Sequence, residues 1–163
     1  MSTIFRLDRG VELDRQELLP WGAGIEELSS LSPSEAKKEL SGRICLIWRD
    51  VQILGGLGCT LVTMLEPGQT LFAVEVFPED HSGVWKNLNE AFEGVSAHLD
   101  KSLAIQGRRR KHDSSLVDGK SYPSCLWVLD EVQVSLAIIE NTGPAYIPHL
   151  NMHISKNLPR RRK

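Results

Sequence analysis

Residues 43–77 constrain the chain most. Three short apolar runs are separated there by turn residues. Arg43-Ile-Cys-Leu-Ile-Trp48 is followed by a break at Gly55-Gly56-Leu57-Gly58, then by Cys59-Thr-Leu-Val-Thr-Met-Leu65. Glu66-Pro-Gly-Gln69 makes a second break before Thr70-Leu-Phe-Ala-Val-Glu-Val-Phe77. Strand-length runs punctuated in this way predict an antiparallel meander. The first run is apolar on both sides, with Ile44, Leu46 and Trp48 on one and Cys45 and Ile47 on the other, as in an interior strand. In the second, Leu57, Cys59, Leu61 and Leu65 share a face. In the third, Phe72, Val74 and Val76 do.

A meander with one apolar face needs a cover, and residues 84–99 supply the clearest helix. Val84, Leu88, Ala91, Phe92, Val95 and Leu99 recur at the helical period, with Ser82 or Gly83 as cap. Upstream, residues 3–7 and 11–19 read as short strands. Residues 25–31 read as a short helix with Glu26 and Glu27 in its first turn. Ser32-Pro33-Ser34-Glu35 reads as the start of a second short helix ending near Gly42. Downstream, residues 106–121 are polar and aperiodic and read as a mobile surface loop. Residues 124–129, 132–140 and 146–154 alternate as strands, and Pro148 places the last at an edge or a bulge. The expected fold is α+β: antiparallel sheet with one long helix packed on it and short helices near the N-terminus. Residues 1–156 are expected to form a single domain and 157–163 a basic flexible tail.

Length and composition agree with a globular domain. The chain has 163 residues, 41% hydrophobic and 25% charged, which suits a packed core and not disorder. No apolar run approaches the about 18 residues of a membrane span, and the first residues lack the pattern of a secretory signal. The expected compartment is the cytoplasm. Cys45, Cys59 and Cys125 are odd in number and lie inside apolar runs, which reads as three reduced thiols acting as small hydrophobes.

Charge is unevenly placed. Net charge is −2, but residues 1–100 hold 16 Asp and Glu against 8 Lys and Arg, and residues 101–163 hold 5 against 11. The N-terminal acidic set is Glu12, Asp14, Glu17, Glu26 and Glu27, with Trp21 between and read as exposed. It is either a solvated face or a docking surface on which carboxylates steer a basic partner and Trp21 anchors it. Arg108–Lys111 and Arg160–Lys163 are basic blocks that can hold phosphate, though no aromatic residue interleaves with them as stacking would require.

Chemical motifs are sparse. Gly55-Gly56-Leu57-Gly58 does not fit a dinucleotide fingerprint, since position 61 is Leu, and lacks the Gly-Lys-Ser/Thr end of a phosphate loop. His149 and His153 point the same way on a strand, opposite Leu150, Met152 and Ile154, and would need a third ligand from elsewhere to bind metal. No nucleophile elbow is present. No catalytic residue, cofactor or metal is therefore expected, and a constellation such as His149, His153 and Asp50 would have to gather from distant positions.

Leu18-Leu-Pro-Trp21-Gly-Ala-Gly-Ile25-Glu-Glu-Leu28 has a Pro-Trp-Gly ahead of an Ile-Glu-Glu-Leu helix. Gly55-Gly56-Leu57 follows a Trp-bearing strand, and the helix from Val84-Trp85 to Leu99 lies between sheet segments. In these features the chain resembles the immunity proteins of bacterial polymorphic and type VI secretion toxins. The resemblance implies a cytosolic protein without chemistry of its own, which binds a cognate toxin and covers its active site. Immunity families share no fixed binding surface, so it transfers no site residues. The acidic set, read from charge alone, suits a basic toxin such as a nuclease. The competing reading is a nucleic-acid-binding accessory protein that uses residues 108–111 and 160–163.

Overall fold

The computed structural model describes residues 6–14, 16–80, 85–114, 118–140 and 148–157. The expected meander is present, and it belongs to a larger sheet. β3 (Glu35–Lys38), β4 (Ile44–Ile53), β5 (Leu57–Leu65) and β6 (Ala73–Pro78) follow one another. After a helix come β7 (Arg108–Asp113), β8 (Ser121–Val128), β9 (Val132–Glu140) and β10 (Pro148–Lys156). The spatial order is β3-β4-β5-β6-β10-β9-β8-β7, antiparallel at every pairing. Two four-stranded meanders thus meet at β6 and β10, where Met152 faces Val76 and Ile154 faces Val74.

Alternation along these strands separates two faces. Leu46, Trp48, Leu61, Val74, Val76, Met152, Ile154, Leu136 and Trp127 are buried in one core. The opposite face carries Glu75, Phe77, Asn151, His153, Ser135, Ala137 and Leu126, all half-buried. β1 (Gly10–Glu12) and β2 (Leu18–Pro20) form a separate hairpin. It adds Val11, Leu13 and Leu19 to the core. Gly10 has φ +150°, and a Cβ there would meet the Leu19 carbonyl oxygen at 2.1 Å, so the hairpin closes only on glycine. α1 (Ile25–Ser29) is a single short turn of helix. The Trp48 indole N–H donates to the Leu31 carbonyl just beyond it, at 3.0 Å.

α2 spans Leu88–Leu103 and buries Ala91, Phe92, Val95, Leu99 and Leu103. It begins four residues later than expected because Asn87 caps it. The Asn87 side chain accepts from Glu90 N, and the Glu90 carboxylate accepts from Lys86 N. This reciprocal arrangement is close to a capping box. Ser82, Gly83 and Val84 lie outside the described residues. At the other end Ala104 takes φ 54°, a left-handed position that favours glycine. His98 Nε2 and Ser102 Oγ both contact the Leu54 carbonyl, at 2.7 and 3.1 Å, which ties the helix to the β4–β5 turn.

Several expectations fail for physical reasons. The second N-terminal helix is strand β3, held by pairing with β4 that overrides its helical start signals. Residues 11–19 are two strands of a hairpin and not one strand. The polar stretch after residue 106 contains β7, an edge strand in unbroken register with β8 from Arg108↔Leu126 to Asp113↔Ser121. The last strand is central, between β6 and β9. Pro148 fits because it is the strand's first residue. Phe72 precedes β6 and is exposed. Residues 1–5 and 158–163 lie outside the described residues, including most of the first expected strand and the second basic block. Asn157, expected to begin the tail, donates its N–H to the Glu131 carbonyl at 2.7 Å.

Two neighbouring positions test this packing with opposite signs. A Cβ at Gly107 would lie 2.3 Å from Cys125 Sγ and 2.5 Å from the Trp127 ring. Gly107→Ala is expected to destabilise by about 1–3 kcal/mol through overpacking. Ala104→Gly, which relieves a left-handed alanine, is expected to stabilise by about 0.4–1 kcal/mol at most. Urea unfolding midpoints of the two variants against the parent check both directions.

Candidate functional site

The acidic set divides between two ends of the sheet. Glu12 and Asp14 are exposed on the β1–β2 hairpin, and Glu17 is half-buried beside them. The hairpin is fixed at the Ile53 end of β4 by the Leu13↔Ile53 bridge and by the Asp14 N–H, which donates to the Gln52 carbonyl at 2.9 Å. There Glu12, Asp14, Gln52 and Gly56 line a cleft of about 240 Å³. Glu26 and Glu27 are exposed on α1. Glu26 lines a different cleft, of about 530 Å³, with Lys38, Ile44 and Pro67. Ile44 and Ile53 are the opposite ends of β4, so the two groups are separated by roughly 30 Å of strand.

Trp21 is not the expected exposed anchor. It is half-buried against the core, and its indole N–H donates to the Leu7 carbonyl at 2.7 Å. It fastens the hairpin to the segment before it. Chain order does not reveal two carboxylates that join Glu12 and Asp14. Glu79 and Asp80 leave the end of β6 beside Gln52 and Gly56, lining a cleft of about 290 Å³ with Trp85 and His98. The Glu79 N–H donates to the Gly58 carbonyl at 3.0 Å, and Glu79 accepts from the Thr60 hydroxyl. Asp80 accepts from the Trp85 N–H at 2.6 Å. The β4–β5 turn thus stands among Glu12, Asp14, Glu79 and Asp80. The only sequence cue was the pair Glu79-Asp80 directly after a strand.

The Gly55–Gly58 segment makes this turn, with Gly56 N–H donating to the Ile53 carbonyl at 3.2 Å, and leads into β5 and not into a helix. No protein-family model, no curated protein and no solved structure matches this chain.

The histidine and cysteine readings resolve locally. His149 and His153 do share a face of β10, but they are engaged separately. His153 Nε2 lies 3.7 Å from Glu75 Oε1, and the His149 ring lies 6.2 Å from that of Phe77. Glu75 also accepts from Asn151 Nδ2 at 2.9 Å. Asp50 stands on β4, separated from β10 by β5 and β6, roughly 14 Å in strand spacings. Burial pushes all three thiols up, and Cys59 furthest, to about 12, with Glu79 and Asp14 adding to the effect. That direction is opposite to the one that activates a thiolate.

The basic block Arg108–Lys111 is split by the pleat. Arg109 opposes buried Cys125 and turns toward α2, 3.8 Å from both Glu93 and Asp100, with its guanidinium 6.0 Å from the Phe92 ring centre. Asp100 also accepts from Gly107 N and Trp127 Nε1, each at 2.8 Å. Arg108 and Arg110 oppose Leu126 and Ser124 and stand on the other face.

Cys59 gives a pH-dependent test. Its neutral thiol favours the folded state fully below the unfolded value of 9.0, and that contribution is lost as pH rises toward about 12. Iodoacetamide at mildly alkaline pH is expected to modify half-buried Cys45 well before Cys59, read by peptide mass spectrometry. Cys59→Ala is expected to flatten the alkaline fall in stability. Equal labelling rates for the two thiols would contradict the burial of Cys59.

Proposed function

We propose that this protein is a non-catalytic binding protein of the immunity type, which covers a cognate bacterial toxin in the cytoplasm. The observation that carries the reading is the acidic end of the sheet. Glu12 and Asp14 arrive there on the hairpin and Glu79 and Asp80 at the end of β6, around the β4–β5 turn. Carboxylates drawn from separate segments onto a rigid strand end give directional attraction for a basic partner without flexible side-chain rearrangement. Leu54 supports this rigidity, since its carbonyl is held by two side chains of α2. The resemblance of the 18–28 segment and of the strand–helix order to immunity proteins points the same way, and a basic nuclease is the toxin class that the charge suits.

A standard interface covers ~800 Å² of each partner, a patch about as wide as β4 is long. A partner centred on the β4–β5 turn therefore leaves Glu26 and Glu27 at or beyond its rim. The nucleic-acid reading draws on Arg108 and Arg110, which stand together on one face. Arg109 is already committed to Glu93 and Asp100, so the block offers fewer cations than its sequence promises.

Co-purification with the product of the adjacent gene tests the proposal. Charge reversal at Glu12 and Asp14 is expected to weaken a stoichiometric complex by tenfold or more, on the order of 1.4 kcal/mol. Reversal at Glu26 and Glu27 is expected to change it little. The same loss from Glu26 and Glu27 alone would move the interface to α1. A protein that binds no toxin and retains nucleic acid instead would overturn the reading.

A further inference from the structure

The eight-stranded sheet has two edges, and they are finished differently. β3 is four residues long, and its one carboxylate answers two cations. Glu35 holds Lys37 at 3.0 Å and Arg49 at 3.0 Å. Hydrogen bonds from Lys37 and then Arg49 keep its carboxyl below the usual range. β7 is six residues long, every one exposed, and among the described residues it pairs with β8 alone. Arg109 reaches carboxylates on α2. Arg108, Arg110 and Lys111 have no carboxylate within ion-pair distance among the described residues.

An edge strand in regular register presents a row of backbone N–H and C=O groups to any extended chain that can lie beside it. Here that row carries uncompensated positive charge. Arg108 and Arg110 stand on one face of the strand, two residues and roughly 7 Å apart. Charge alone often serves to keep such an edge unpaired. It also selects the partner that can pair, because an incoming strand with carboxylates at alternate positions meets both arginines at the strand repeat.

We propose that β7 is a strand-addition site for an extended acidic segment of another protein, which joins the sheet with Asp or Glu at every second residue opposite Arg108 and Arg110. A second copy of this chain fits less well. Antiparallel self-pairing about the strand centre pairs Arg108 with Asp113 twice but sets Arg110 against Lys111 twice, so repulsion offsets attraction, and pairing with β3 meets one carboxylate, Glu35, with Lys37 and Lys38. A phosphodiester chain answers the arginines but not the row of backbone donors and acceptors, which an extended peptide satisfies. The site is independent of the acidic end: β7 and β4 are six strands apart in the sheet, roughly 29 Å.

The test uses the full chain and a fluorescein-labelled peptide with Glu at every second position and Thr or Val between. Fluorescence anisotropy at low and high salt reads binding, and amide hydrogen exchange reads its place. Binding is expected to weaken with salt and to slow exchange at residues 108–113. It is expected to fall roughly tenfold for Arg108→Glu with Arg110→Glu, whose side chains are exposed and whose folding is checked by circular dichroism. A peptide N-methylated at alternate amides, with its charge intact, is expected not to bind. Equal binding of the methylated peptide would overturn strand addition. So would an unaffected double variant, or no binding up to millimolar peptide. Displacement of the peptide by a single-stranded oligonucleotide that binds more tightly would reassign the edge to nucleic acid.

Discussion

The pairing of β6 with β10 is the contact on which the rest of the structure depends. Each meander alone is four strands with one apolar face. Joined through Val74, Val76, Met152 and Ile154, they present one continuous apolar surface broad enough for the β1–β2 hairpin, α1 and α2 to share a single core. The same pairing decides which strands become edges. With β6 and β10 inside, β3 and β7 are left outside. The charge character of those two strands, one short with its own carboxylate and one longer and strongly basic, becomes a property of the rim.

Burial explains what the sequence could and could not reveal. β4 and β5 were readable because they are apolar runs of strand length between turn residues, and β6, β9 and β10 because one side of each is buried and the apolar residues fall at a period of two. α2 was readable from Phe92, Val95 and Leu99 for the same reason. Its start was misjudged because a cap is set by local hydrogen bonds, here those of Asn87 and Glu90. β3 and β7 have almost no buried side chains, so their sequences carry no period. They are strands because neighbours pair with them. Glu35–Lys38 had helix-start signals and Arg108–Asp113 had only charge, and neither pattern reports a partner that lies elsewhere in the chain.

The acidic set shows the same limit in the site. Glu12, Asp14, Glu26 and Glu27 are close in sequence, yet β4 holds them apart along its length. Glu79 and Asp80, more than sixty residues from Glu12, stand beside the same turn. Trp21 looked like an anchor because it sits between acidic residues, in the Pro20-Trp21-Gly22 break. A half-buried indole with a satisfied N–H is instead what that loop needs to stay closed. What was legible was the sign of the charge in each half of the chain, and what was not was its grouping.

The meeting of the two meanders also has a kinetic consequence. Every other pairing in the large sheet joins consecutive strands, which the chain reaches by turning back on itself. β6 and β10 are joined across α2 and three further strands, so Val76 and Met152 come together only after the intervening segment is closed. Loop-closure entropy grows slowly with length but is spent before the contact is made. The two halves can gain most of their local order independently, while commitment to the native state waits on the central seam. The strands richest in sequence signal therefore set the stability of each half, and the least local pairing sets how fast the whole protein forms.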